Sequence, residues 1–99
     1  MKLLWTVGAR ADLLEVFSYV ADEDIDAAVR LRDRLRGATK TLIDHPEIGR
    51  MVPELGNPAL RELIVRPYRV VYAVRESEVH VLGVVHSRML LPGFEGEAP

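Results

Sequence analysis

Cysteine is missing from the chain. Its absence excludes disulfides and thiolate metal sites, and it fits a reducing compartment. No apolar run approaches the roughly 20 residues that span a bilayer. The opening Met1-Lys2-Leu3-Leu4-Trp5-Thr6-Val7 has neither the length nor the small-residue cleavage site of a signal peptide. We therefore expect a cytoplasmic protein with no membrane contact. Also missing are Gly-x-Ser-x-Gly, a phosphate-binding glycine loop and His-Glu-x-x-His. Histidines stand only at 45, 80 and 86, with no converging third ligand, so neither a metal nor another cofactor is expected. Repeats and low-complexity segments are absent as well.

The 99 residues suit one domain, 1–99, with one modest core. The formal net charge of −2 argues against a nucleic-acid binder that works by bulk electrostatics. The distribution qualifies this. Residues 1–49 carry 7 basic and 9 acidic side chains, whereas residues 50–88 carry 6 basic and 4 acidic. Every basic residue in that second segment is arginine, which offers planar, bidentate recognition of carboxylate or phosphate.

Leu3 to Val7 reads as a first strand that Gly8 ends. Ala9-Arg10-Ala11-Asp12 then opens a helix whose apolar stripe is Leu13, Phe17 and Val20, widened by Leu14 and Val16. After an acidic break at 21–24, Asp24 is a good N-cap for a second helix. Its seam is Ala28, Leu31, Leu35, Ala38 and Leu42. The short connection implies an antiparallel helical hairpin. Pro46 to Pro58 reads as a loop. Leu60–Val65, Tyr68–Arg75 and Glu78–His86 read as strands, joined at Arg66-Pro67 and Glu76-Ser77 into an antiparallel meander. In the last strand simple alternation puts Leu82, Val84 and His86 on one face and Val79, Val81 and Val85 on the other. Both faces are apolar, and the hairpin covers one. The last residues, 95–99, are expected to be frayed. The fold class is α+β, in the order β-α-α-β-β-β.

The chemistry that remains is a set of arginines and a histidine. Arg61, Arg69 and Arg88 lie on or beside the strands, His86 ends the last one, and Glu54 and Glu62 are nearby carboxylates. Arginines can clamp a phosphodiester while a histidine or glutamate moves the proton of a ribose hydroxyl, which would cut RNA without a metal. The simpler alternative is structural: Arg61 and Arg69 pair with Glu62 or the loop carboxylates, and Tyr68 and Tyr72 are ordinary amphipathic sheet residues.

Several short motifs, taken in order, resemble one family. They are Trp5-Thr6-Val7, Ala9-x-x-Asp12-Leu13, His45-Pro46-x-x-Gly49-Arg50, Pro53-Glu54-Leu55, Leu60-Arg61-Glu62-Leu63, Tyr68-Arg69-Val70-Val71-Tyr72 and Val84-Val85-His86-x-Arg88. This pattern resembles the RelE/ParE superfamily of bacterial type II toxin–antitoxin toxins, from about Leu3 to Arg88. The resemblance implies a helical hairpin on an antiparallel sheet. It also implies a cognate ParD-like antitoxin that covers apolar surface in a hetero-oligomer.

Two branches follow from the resemblance. RelE-like toxins are ribosome-dependent ribonucleases that cut mRNA with basic residues of the sheet. ParE-like toxins poison DNA gyrase. No lysine follows Lys40, and no tyrosine or histidine follows His86, which departs from the lysine-based nuclease pattern. The ParE-like branch is therefore preferred. The alternatives are an mRNA endoribonuclease using Glu54, Arg61, Arg69 and His86, and a non-toxic antitoxin-binding module. The expected target-binding residues are Arg61, Arg69, His86 and Arg88. The expected antitoxin contacts are Leu13, Phe17, Leu31, Leu35, Val71 and Leu82.

Overall fold

A computed structural model describes residues 1–88. The chain runs β1 (Lys2–Trp5), α1 (Val7–Ala21), α2 (Ile25–Lys40), a 3₁₀ turn (Thr41–Ile43), β2 (Arg50–Met51), β3 (Leu60–Val65), β4 (Tyr68–Arg75) and β5 (Glu78–His86). The expected order holds, with one addition: the proline-rich loop contains the two-residue strand β2. The tail at 95–99, expected to be frayed, lies outside the described residues.

The first strand is shorter than expected and the helix begins earlier. Thr6 is extended, and its side-chain oxygen accepts the Ala9 N–H at 3.1 Å, making it the N-cap. Gly8 therefore sits in the first turn of α1 and does not end β1. Asp24 caps α2 as expected, accepting the Ala27 N–H at 3.0 Å. Asp26 in the first turn and Lys40 in the last complement the helix dipole. The α2 seam faces the fold: Ala28, Leu31, Leu35 and Leu42 are buried.

The sheet order is β1-β5-β4-β3-β2. β3, β4 and β5 form the expected meander, and β2 pairs antiparallel with β3. β1 adds to the far edge parallel to β5, with Leu3 opposite Val79 and Trp5 opposite Val81. Two turns of two residues set the meander's register. In the second, Glu76 takes φ 52°, the left-handed backbone that tight hairpins favour.

The two sheet faces carry separate cores. On the helix side Val65, Tyr68, Val70, Val81 and Val84 pack with Ala9, Leu13, Leu31 and Leu35. On the opposite side Val52, Leu60, Val71, Ala73 and Leu82 pack together, joined by Leu55 and Val85. The loop between β2 and β3 thus supplies much of the cover for the second face.

Simple alternation along β5 fails at one residue. Val71 pairs with Gly83 and Tyr72 with Val81, which leaves Leu82 as the extra residue of a β-bulge. The phase flips there. Val79, Val81 and Val84 point to the helices, whereas Leu82 and Val85 point away. The bulge also turns the Val84 N–H toward α1, where the Asp12 carboxylate accepts it at 2.9 Å. Burial raises the Asp12 pKa above its ordinary value, opposed by the Val84 hydrogen bond and assisted by the charge of Glu15.

Candidate functional site

The sheet's opposite face holds a cluster of alternating charges. Arg69 on β4 is buried. Its Nε donates to Glu62 Oε1 at 2.6 Å, and its Nη1 and Nη2 donate to the two oxygens of Glu54 at 2.6 and 2.7 Å. Arg50 on β2 donates through Nε to the second Glu62 oxygen at 2.7 Å. The Glu62 side chain is completely buried and that of Arg69 is 6% exposed. Two cations and two carboxylates therefore run across β2, β3, β4 and the loop. The Arg69 hydrogen bonds hold Glu54 below the usual carboxylate range despite partial burial. The carboxylates in turn raise the Arg69 pKa above the ordinary guanidinium value against desolvation, the Glu54 bond contributing most. Such a cluster fixes geometry, since removing one member leaves its partner charged and buried.

Arg61 points the other way. It lies opposite Tyr72 across the β3–β4 pair, whereas Arg69 lies opposite Ile64. Its Nη1 donates to the carbonyls of Gly49 at 2.8 Å and Glu47 at 3.3 Å. The buried Tyr72 hydroxyl clamps the same segment: it accepts the Gly49 N–H at 2.9 Å and donates to the Pro46 carbonyl at 2.9 Å. Burial raises the Tyr72 pKa, partly offset by the Gly49 hydrogen bond. Gly49 has to be glycine here, because a Cβ would meet Glu62 O and Tyr72 Oη at 2.6 Å.

His86 closes β5 opposite Tyr68, on the helix side, with the two rings edge to face at 5.7 Å. The exposed Arg88 follows it, its backbone N–H donating to His86 Nδ1 at 3.2 Å. Glu54, Arg61, Arg69 and His86 thus do not converge. Glu54 and Arg69 meet on one face, while Arg61 and His86 belong to the other. The pairing of Arg69 with loop and strand carboxylates follows the structural alternative, but Arg61 binds backbone carbonyls and no carboxylate among the described residues. Arg50 was not among the expected site residues; its register opposite Glu62 required β2 to be known.

The expected antitoxin contacts also divide. Leu35 and Val71 are fully buried, and Leu13, Leu31 and Leu82 are at most 8% exposed. Leu31, Leu35, Val71 and Leu82 belong to the chain's own cores and offer a partner almost no surface. Leu13, though part of the helix-side core, also borders an open groove of about 610 Å³ between α1, α2 and β1, which the half-buried Phe17 lines with it. Leu3, Trp5 and Leu14 complete its apolar lining, and Arg10, Arg32, Arg36 and Lys40 stand around it. The Arg32 guanidinium lies 5.6 Å from the Phe17 ring centroid, a cation–π distance. Periodicity alone could not separate groove from core, because both lie on the same apolar stripes.

Among the described residues no group of three His, Asp or Glu side chains is placed to hold a metal. No helix there is long and apolar enough to cross a membrane.

A helical hairpin laid on a five-stranded sheet, with an apolar groove beside the helices, narrows the class to small α+β proteins that present a binding face. Residues 3–91 match the model of the ParE toxin of type II toxin–antitoxin systems, parDE. Toxin RelE2 of Caulobacter vibrioides is 36% identical over 90 residues, covering 90% of this chain and 98% of that protein. Putative toxin Y4kP of Sinorhizobium fredii is 31% identical over 94 residues, covering 92% and 93%. A solved structure described as the chromosomal ParDE TA system from P. aeruginosa superposes with a TM-score of 0.73 at 25% identity, covering 87% of this chain and 95% of that one. The chain belongs to the ParE toxin family, within the RelE/ParE superfamily of type II toxins.

Proposed function

We propose that this toxin acts on DNA gyrase and is neutralised by a ParD-like antitoxin in a cytoplasmic hetero-oligomer. The observation that carries the choice of target is the separation of Arg69 from Arg61 and His86 onto opposite sheet faces. A ribonuclease needs its phosphate clamp and its proton-transfer group around one phosphodiester. Arg69, the buried candidate clamp, is instead held by Glu54 and Glu62. A surface that poisons a protein machine needs no such convergence. Of the expected target-binding residues, Arg61, His86 and Arg88 have exposed or half-buried surface.

The antitoxin takes the groove beside the helices. Leu14 is 66% exposed there, and Phe17 is half-buried. Covering them removes apolar surface from water.

Expression of the chain alone in bacteria should arrest growth, and co-expression with the neutralising antitoxin should restore it. Purified protein should inhibit gyrase supercoiling while leaving ribosome-bound mRNA intact. Codon-phased mRNA cuts that disappear in His86→Ala would replace this reading with a RelE-like ribonuclease. Normal growth with unchanged gyrase activity would leave a non-toxic antitoxin-binding module.

A further inference from the structure

The groove between α1, α2 and β1 combines two properties. Its floor is apolar, from Leu3, Trp5, Leu13, Leu14 and Phe17, and its margins carry Arg10, Arg32, Arg36 and Lys40 with no carboxylate among the lining residues. This happens in a chain whose net charge is −2. The charge is therefore local and opposed to the global sign.

The margin is built by helix geometry. Arg32, Arg36 and Lys40 follow one another at intervals of four, so they form one row along α2. Arg10 faces them from α1. Arg32 is partly occupied, by Asp33 at 3.3 Å and by the Phe17 ring. Arg10, Arg36 and Lys40 are exposed, and none of them has a carboxylate partner among the described residues. From Arg32 to Lys40 the row spans about 12 Å, the length of roughly two helical turns.

We infer that Arg10, Arg36 and Lys40 are specificity residues that read acidic side chains flanking the apolar stripe of the antitoxin segment seated in this groove. This rests on the antitoxin reading of the groove given above and adds the chemistry of the partner. The segment is amphipathic and about two turns long. Its apolar side chains at three- and four-residue spacing fill the floor, and its Asp or Glu residues on both flanks meet the cations. Apolar contact supplies affinity without discrimination. The charges steer encounter and exclude segments with basic flanks, because juxtaposed like charges penalise the wrong partner.

The experiment uses two synthetic 18-residue helical peptides with one shared apolar stripe, flanked by Glu in one and by Lys in the other. Binding to the full chain is read by fluorescence anisotropy. The Glu-flanked peptide should bind at least about tenfold tighter than its counterpart at low salt, and the gap should narrow as salt rises. Arg36→Glu/Lys40→Glu should reverse the preference, with an unchanged circular dichroism spectrum. Leu14→Asp should weaken both peptides. Equal binding of the two peptides, a preference insensitive to Arg36→Glu/Lys40→Glu, or no binding of either would overturn the inference. Growth arrest and rescue are scored separately. An inert chain that still prefers the Glu-flanked peptide sinks the toxin reading and leaves the charge reading standing.

Discussion

Replacing Arg69 with alanine should destabilise this protein before it affects any chemistry. The guanidinium is the shared partner of Glu62, whose side chain has no exposure, and of Glu54, at 22%. Its removal leaves Glu62 with Arg50 alone, and Arg50 is 60% exposed. Breaking a buried ion pair by deleting one partner costs about 3–5 kcal/mol. The surviving Arg50 contact and the solvent access of Glu54 place Arg69→Ala near the lower bound, about 3 kcal/mol. A domain of this size has about 5–15 kcal/mol in all. With a urea slope of about 1–2 kcal/mol per molar, the midpoint should fall by about 2 M. Equilibrium urea unfolding followed by Trp5 fluorescence measures this directly. The companion variant Arg69→Met/Glu62→Leu, which replaces the buried pair with apolar side chains, should recover most of the loss. If Arg69→Ala keeps the parental midpoint and nevertheless abolishes toxicity, the structural account is wrong and Arg69 contacts the target.

Other expectations follow from the same geometry. Gly49→Ala should cost at least about 2 kcal/mol, because its Cβ would overlap Tyr72 Oη and Glu62 O at 2.6 Å; thermal unfolding reads it. Tyr72→Phe leaves the buried Gly49 N–H unpaired and should cost about 1–3 kcal/mol in urea unfolding. Asp12→Ala removes the acceptor of the Val84 N–H at the bulge and should cost about 1–2 kcal/mol, whereas Asp12→Asn keeps an acceptor and should cost less. The two shifted carboxylates act on stability with opposite signs. Glu54 is depressed, so its contribution is present above its unfolded pKa and is lost as pH falls through the lower folded value. Asp12 is raised, so its burial weakens the fold as pH rises from the unfolded value through the higher folded one. Urea midpoints of Glu54→Gln and the parent should therefore converge in acid, and those of Asp12→Asn and the parent should also converge there.

The helices and the meander were legible because each rests on local chemistry: the α2 seam, the Asp24 cap and two-residue turns. The parallel pairing of β1 with β5 was not, since no short-range signal links Leu3 to Val79 across the whole chain. The face assignment of β5 failed at Leu82 because a bulge adds a residue without marking the sequence. The placement of the candidate site residues on two faces is also written in the sequence. Val65 and Tyr68 flank a two-residue turn, so Arg61 falls opposite Tyr72 and Arg69 opposite Ile64. Period-two alternation then puts the two arginines on opposite faces. Their company in the sequence concealed their separation in space. The groove was hidden for a different reason. Leu13 and Leu35 share one apolar pattern, and only the packed helices decide that one lines a cleft while the other is fully enclosed.

The charge cluster gives the sheet two unlike margins. Beyond β3, the two residues of β2 are tied down by Arg50, Glu62, Arg69 and Glu54. At the other margin β1 is held by Leu3 and Trp5 against the helix-side core. Acid attacks the first tether and leaves the second intact, whereas cooling weakens apolar attachment and spares ion pairs. The two margins of the sheet are thus sensitive to different conditions, the β2 side to acid and the β1 side to cold.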